Sequence, residues 1–208
     1  MTAQRARSDL AKAARRAEII EATKARLAEQ GLHAVSMQDI ANTCHLTKPA
    51  LYNYFSTREA LFLAVYRHLL EDWLRGFNRS LLEAGHPLPR ASFNKLFVAG
   101  FAARPLLCHL TNHLTATLEP KLTEAALASL RAETADQIAG LKALLLHYGY
   151  VDADGAADLA WAYYTIMVGA AQVAARPEGM GQAEDRVIPI LERTAFEVNC
   201  LVTLGCLR

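Results

Sequence analysis

The sequence predicts an all-α fold. Three observations predict it. Ala and Leu are abundant and β-branched residues sparse, a balance that favours helix over strand. Helix breakers are few, with 11 glycines and 7 prolines in 208 residues. Three helix-start signals then follow one another closely, at Ser36, Thr47 and Ser56.

The first predicted helix covers residues 12–30. Ile20, Thr23 and Leu27 form its apolar stripe, and Gly31 stands where a left-handed C-terminal cap belongs. The second starts at Ser36, whose hydroxyl can accept from the Asp39 amide while Val35 staples to Ile40. Met37, Ile40, Ala41 and Cys44 make one stripe at i, i+3, i+4 and i+7, so Cys44 points into a core. The third opens at Thr47, with Pro49 tolerated in its first turn and Leu46 able to staple to Leu51. Leu51, Tyr54 and Phe55 face inward, leaving Lys48, Pro49, Tyr52 and Asn53 outward. Ser56-Thr57-Arg58-Glu59 reads as a capping box opening a long helix to about Phe77.

Two short helices on a three-residue connection form a helix-turn-helix, which places its second helix in the DNA major groove. Between them lies "TCHLT". With Cys44 turned inward, His45 occupies a turn position that often needs positive φ and favours glycine. The stretch therefore serves geometry and calls for no metal.

Beyond Phe77 the loop 84–91 precedes "SFNKLFVAGFAA", and Pro105 starts a helix over about 106–118. Long helices are predicted over 123–147 and 155–175. After the loop 176–185, a last helix runs from about Asp185 to Leu204.

Residues 17–62 resemble the DNA-binding domain of the tetracycline-repressor (TetR) family of bacterial transcriptional regulators. Gly31, Ser36, Ile40-Ala41, Thr47-Lys48, Leu51-Tyr52, Tyr54-Phe55 and Glu59-Ala60-Leu61 carry the resemblance. Residues 1–16 carry five Lys/Arg against one Asp and read as a basic arm; the resemblance implies a three-helix DNA-binding head over 17–62 and an effector-binding, dimerising body of about six helices over 63–208. It also implies a homodimer on palindromic double-stranded operator DNA, released when a small-molecule effector moves the long connecting helix, while the lack of CxxC spacing among the cysteines suits a cytoplasmic protein. Lys48 and Tyr52 would then contact phosphates, Thr47 and Arg58 would sit at helix N-termini against the backbone, and Ala50 and Asn53 would lie nearest the groove. With Ser36, Pro49 and Tyr54 these complete the expected DNA-binding set. Independently, a lysine in a first helical turn beside helix-terminal amides suits a phosphate.

Charge adds a weaker signal. Residues 1–60 hold nine Lys/Arg against six Asp/Glu in a chain of net charge +1. Such a basic end suits an anionic partner as well as it suits a solvated tail. Four cysteines without CxxC spacing read as reduced thiols, and the start has no apolar signal core. The longest uncharged run, the 17 residues Leu159 to Ala175, is short and polar for a membrane span, so no membrane partner is expected.

His109 and His113 stand at i, i+4, a metal-ligand spacing, with Cys108 beside them. The nearest carboxylate, Glu119, is six residues on, so neither metal nor cofactor is expected. Cys108 and His109 project about 100° apart and make no catalytic pair. No phosphate loop, GxSxG or HExxH motif points to an enzyme. Trp73, Phe77, Phe97, Phe101, Trp161, Tyr164 and Met167, with His109 and His113, suggest a pocket for an apolar or aromatic effector. Ala160, Tyr164, Ala171, Leu191, Ala195, Val198 and Val202 suggest a dimer face on the last two helices. The alternative is a helical small-molecule or metal sensor whose head does not act on DNA.

Overall fold

A computed structural model describes residues 3–174, and every regular element among them is helical. The chain divides between Leu69 and Leu70 into a head unit and a body unit.

In the head, α1 (Ala3–Gln30) begins nine residues before its predicted start. Residues 3–11 are mostly good helix formers with no Gly or Pro to stop them, so the basic arm continues the helix. Its buried stripe is Ile19, Thr23 and Leu27; Thr23 and Leu27 stand as read from the sequence, and Ile19 replaces Ile20, which is only half-buried. Thr23 satisfies its own buried hydroxyl by donating to the Ile19 carbonyl at 2.7 Å. Gly31 ends the helix at φ 77°, its amide bonded to the Leu27 carbonyl at 3.0 Å.

The short helix α2 (Met37–Thr43) starts at the expected Ser36 cap, and the cap is reciprocal. Ser36 Oγ accepts from the Asp39 amide at 3.3 Å, and the Ser36 amide donates to Asp39 Oδ2 at 3.0 Å. The Ser36 hydroxyl, donating to Asp39 Oδ2 at 2.5 Å, and then the Ser36 amide hold the Asp39 carboxyl below its usual pKa. Met37, Ile40, Ala41 and Cys44 are all buried. Burial raises the Cys44 thiol pKa, which keeps it protonated.

The turn after α2 is closed by two backbone bonds, Leu46 N–H to the Ala41 carbonyl at 2.8 Å and His45 N–H to the Asn42 carbonyl at 3.2 Å. This pattern requires a left-handed residue between them. His45 supplies it at φ 53°, the only positive-φ residue other than glycine among those described.

Helix α3 (Lys48–Tyr52) is capped by Thr47, whose Oγ1 accepts from the Ala50 amide at 3.3 Å. Leu51 and Phe55 are buried beneath it. Helix α4 (Arg58–Ala84) starts one residue later than the predicted box allows. Thr57, not Ser56, is its cap, accepting from the Ala60 amide at 3.0 Å. Glu59 instead lies 3.6 Å from the Arg58 guanidinium. Within the head, His68 Nε2 stands 2.7 Å from a Glu21 carboxylate oxygen, tying α4 to α1.

The body comprises the remainder of α4, α5 (Arg90–Ala102), α6 (Pro105–His113), α7 (Glu124–His147) and α8 (Ala156–Ala174). The predicted helix over 106–118 stops being α-helical at His113, then continues as a π turn (Leu114–Leu118) and a 3₁₀ turn (Glu119–Lys121). Its core is aromatic. Trp73 packs edge-on against Phe97 and Phe101, at centroid distances of 5.0 and 5.3 Å, and Tyr163 packs against Phe97 at 5.0 Å. The buried Tyr163 hydroxyl donates to Asn94 Oδ1, so neither buried polar group is orphaned.

Helix α8 carries three of the residues read as a dimer face. It packs against α6 and α7, and Ala160 and Ala171, read as dimer-face residues, are 0% exposed within their own chain. The small residues let α8 approach its neighbours closely, so these two positions are covered within the chain. Tyr164 is half-buried, and Leu191, Ala195, Val198 and Val202 lie outside the described residues, as does the last predicted helix.

Candidate nucleic-acid interface and effector cavity

The outward side of α3 is built by its own inward side. Burying Leu51 and Phe55 fixes the helical phase, which leaves Lys48, Pro49, Tyr52 and Asn53 exposed, with Tyr52 at 42%. Thr47 is exposed with its hydroxyl engaged in the cap, and Ala50 is half-buried. The structure thus brings Thr47, Lys48, Pro49, Tyr52 and Asn53 together on one exposed surface at a helix N-terminus and its first turn. Ser36 is exposed, but its hydroxyl is bonded to Asp39.

Tyr54 and Arg58 depart from that surface. Tyr54 is half-buried, and its carbonyl accepts from Arg16 at 2.7 Å. Arg58 is half-buried, lying over the Phe62 ring at 5.3 Å and beside Glu59.

Two arginines assigned to the basic arm turn out to have structural partners. Arg15 donates to the Cys44 carbonyl at 2.8 Å and pairs with Glu18 at 2.6 Å. Arg16 donates to the Tyr54 carbonyl and lies 4.0 Å from the Phe55 ring centroid. Each guanidinium meets carbonyls at the end of α2 or α3, where the helix dipole favours a positive charge. Both stand on the α1 turn preceding buried Ile19, but the carbonyls they meet are distant in sequence, so no local signal marks the contacts.

In the body, α4, α5, α7 and α8 enclose a cavity of about 290 Å³. Trp73, Phe77, Phe97, Tyr164 and Met167 line it, as the sequence suggested. Phe101 does not; it supports Trp73 from behind as an edge-on neighbour. His109 and His113 are also absent from its wall, and His113 Nδ1 instead lies 3.3 Å from Thr117 Oγ1. Trp161, 53% exposed, borders a second cavity of about 250 Å³ with Glu119, Arg131 and Thr134. The residues missed were aliphatic and amide side chains, chiefly Asn78, Gln137, Leu141 and Leu144. Their available signal was helical spacing: Leu74–Asn78 on α4, and Gln137–Leu141–Leu144 on α7.

Burial pushes the Cys108 thiol up to about 12, so beside His109 it is no thiolate nucleophile. Among the described residues, no three His, Cys, Asp or Glu side chains gather to hold a metal ion, and no helix is long and apolar enough to cross a membrane.

Comparison with known proteins adds an independent line. Residues 19–65 match the family described as bacterial regulatory proteins, tetR family, and residues 67–198 match the tetracyclin repressor-like C-terminal domain. Over 90 residues the chain is 34% identical to the HTH-type transcriptional repressor KstR2 of Mycobacterium tuberculosis (strain ATCC 25618 / H37Rv), covering 43% of this chain and 44% of the relative. It is 30% identical over 126 residues to the HTH-type transcriptional regulator RutR of Escherichia coli (strain K12), covering 52% of this chain and 58% of that one. The matches span about half the length of these curated relatives. A crystal structure of a TetR transcription regulator from Haloarcula marismortui ATCC 43049 shares the fold, with TM-score 0.65 at 21% identity over 90% of this chain and 97% of that chain. With head and body each matched by the corresponding domain family, this chain belongs to the TetR family of bacterial regulatory proteins.

Proposed function

We propose that this protein is a ligand-responsive transcriptional repressor that acts in the cytoplasm as a homodimer on palindromic operator DNA. A small apolar or aromatic effector in the body cavity releases it. The observation that carries the reading is the exposed face of α3. Lys48 places a mobile positive charge at a helix N-terminus, where the amides and the dipole already favour a phosphate. Tyr52 lies one turn on with its ring exposed, and Asn53 follows at the helix end with an amide suited to a base edge.

The cavity supports the ligand half of the proposal. Its wall is mostly aromatic and aliphatic, and five of its residues lie on α4, the helix whose first residue is Arg58 of the head. A ligand that prefers one position of α4 would bias the DNA-binding state by that difference in affinity. The dimer half rests on the apolar stripe Leu191, Ala195, Val198 and Val202 and on the exposed Trp161 of α8. The reading assigns the protein no catalytic step.

Selection from random duplexes tests the reading. A palindromic consensus with half-sites about 34–36 Å apart, or somewhat farther, is expected of a two-fold dimer. Recovery of no enriched sequence would contradict it.

A further inference from the structure

We infer that the cavity selects a neutral, largely apolar ligand carrying one hydrogen-bonding group, and that the amides of Asn78 and Gln137 read that group. The inference rests on the effector reading of this cavity and names the ligand class that reading leaves open.

The cavity wall holds no Asp, Glu, Lys, Arg or His among the described residues. A carboxylate or ammonium ion entering it would lose hydration without meeting an opposite charge, an uncompensated burial that disfavours binding. The charged Glu119 and Arg131 line the second cavity, which shares only Tyr164 with the first. Burial, and then the Glu119 charge, raises the pKa of that phenol, so Tyr164 stays neutral.

Three polar side chains remain in the wall besides the Trp73 indole: Asn78 on α4, Gln137 on α7 and Tyr164 on α8. Asn78 is exposed and Gln137 half-buried, so both stand where the cavity meets solvent. Neither amide makes a hydrogen bond to another described residue. An amide offers both donor and acceptor, so the two together suit a hydroxyl, a ketone or an amide on a ligand whose body enters the apolar part. The volume, near the lower end of the roughly 300–1,000 Å³ usual for ligand sites, favours a body of about two fused rings.

The test uses three probes of one shape, naphthalene, 2-naphthol and 2-naphthoate, titrated calorimetrically into the full-length protein. 2-Naphthol should bind roughly tenfold more tightly than naphthalene, the worth of one good hydrogen bond, and 2-naphthoate weakest of all. Asn78→Leu with Gln137→Leu should erase the advantage of 2-naphthol and leave naphthalene binding in place. Gly140→Phe should block all three, because Gly140 lines the cavity and a side chain there meets open space. Gly140→Leu serves the same purpose if the larger variant fails to fold.

An advantage that survives the two leucines, or tightest binding by 2-naphthoate, overturns the inference and leaves the effector cavity standing. Failure of all three probes to bind, or binding indifferent to both Gly140 variants, removes the cavity reading and the inference together.

Discussion

The Arg16 guanidinium lies over the Phe55 ring, 4.0 Å from its centroid, while donating to the carbonyl of the preceding residue, Tyr54. One side chain of α1 thereby fixes the segment that follows α3. Arg16→Ala should destabilise the head by about 2 kcal/mol, the low end of the sum of a cation–π contact and a charge-assisted hydrogen bond, because Arg16 is solvent-exposed. Urea denaturation followed by circular dichroism measures it. A change within error would show that the pair contributes nothing.

His45 carries the left-handed turn between α2 and α3 at φ 53°. Its Cβ is strained there, and glycine would relieve that at some cost in unfolded-state entropy. His45→Gly should stabilise the head by roughly 0.5–1 kcal/mol. A lowered denaturation midpoint would mean that the imidazole has a role the turn geometry does not account for.

The reciprocal cap at Ser36 predicts a pH signature. Ser36 lowers the Asp39 pKa by hydrogen bonding to the carboxylate. A carboxyl depressed on folding contributes stability that is present above its unfolded pKa and is lost as pH falls through the folded value. Ser36→Ala should therefore destabilise the head at neutral pH, with the gap from wild type narrowing as pH falls below about 3.9, to the part contributed by the cap bond from the Asp39 amide. A gap that stays constant down to pH 2 would exclude the Asp39 bonds as its source.

Two helical glycines should respond in opposite directions. A Cβ on Gly100 would stand 3.2 Å from Trp73 Nε1, and Trp73 is held between Phe97 and Phe101. Gly100→Ala should cost about 1–3 kcal/mol, as overpacking does. Gly140 has nothing within 4 Å of such a Cβ, so Gly140→Ala should gain roughly 0.5–1 kcal/mol from helix propensity. Thermal unfolding of the two variants compares them directly, and equal effects would refute the packing argument.

The head was the more legible half in sequence because its signals are local. Caps, a turn and short stripes act over three to seven residues, which is why Ser36, Thr47, Gly31 and the unusual His45 were all readable. Two local signals overlapped at Ser56 and Thr57, and the hydroxyl one position later became the cap. The structural roles of Arg15 and Arg16 depend on carbonyls 29 and 38 residues away, which no local pattern encodes. The body was less legible for the same reason. Aromatic residues point to a pocket, but which of them face a given cavity depends on helix packing, and Phe101, His109 and His113 do not line the cavity of about 290 Å³. Gln137 and Leu144 drew no attention because α7 has no sharply divided apolar face. For Ala160 and Ala171, an apolar stripe reads alike whether its cover is another helix of the chain or a second subunit.

In the proposed complex the exposed face of α3 meets the DNA backbone through Lys48. The most direct measurement is the salt dependence of binding to a selected duplex, for wild type and Lys48→Ala. Losing one phosphate contact should weaken binding across all sequences and reduce the slope of log affinity against log salt by about 1. An unchanged slope would remove Lys48 from the phosphate and contradict the interface assigned to α3.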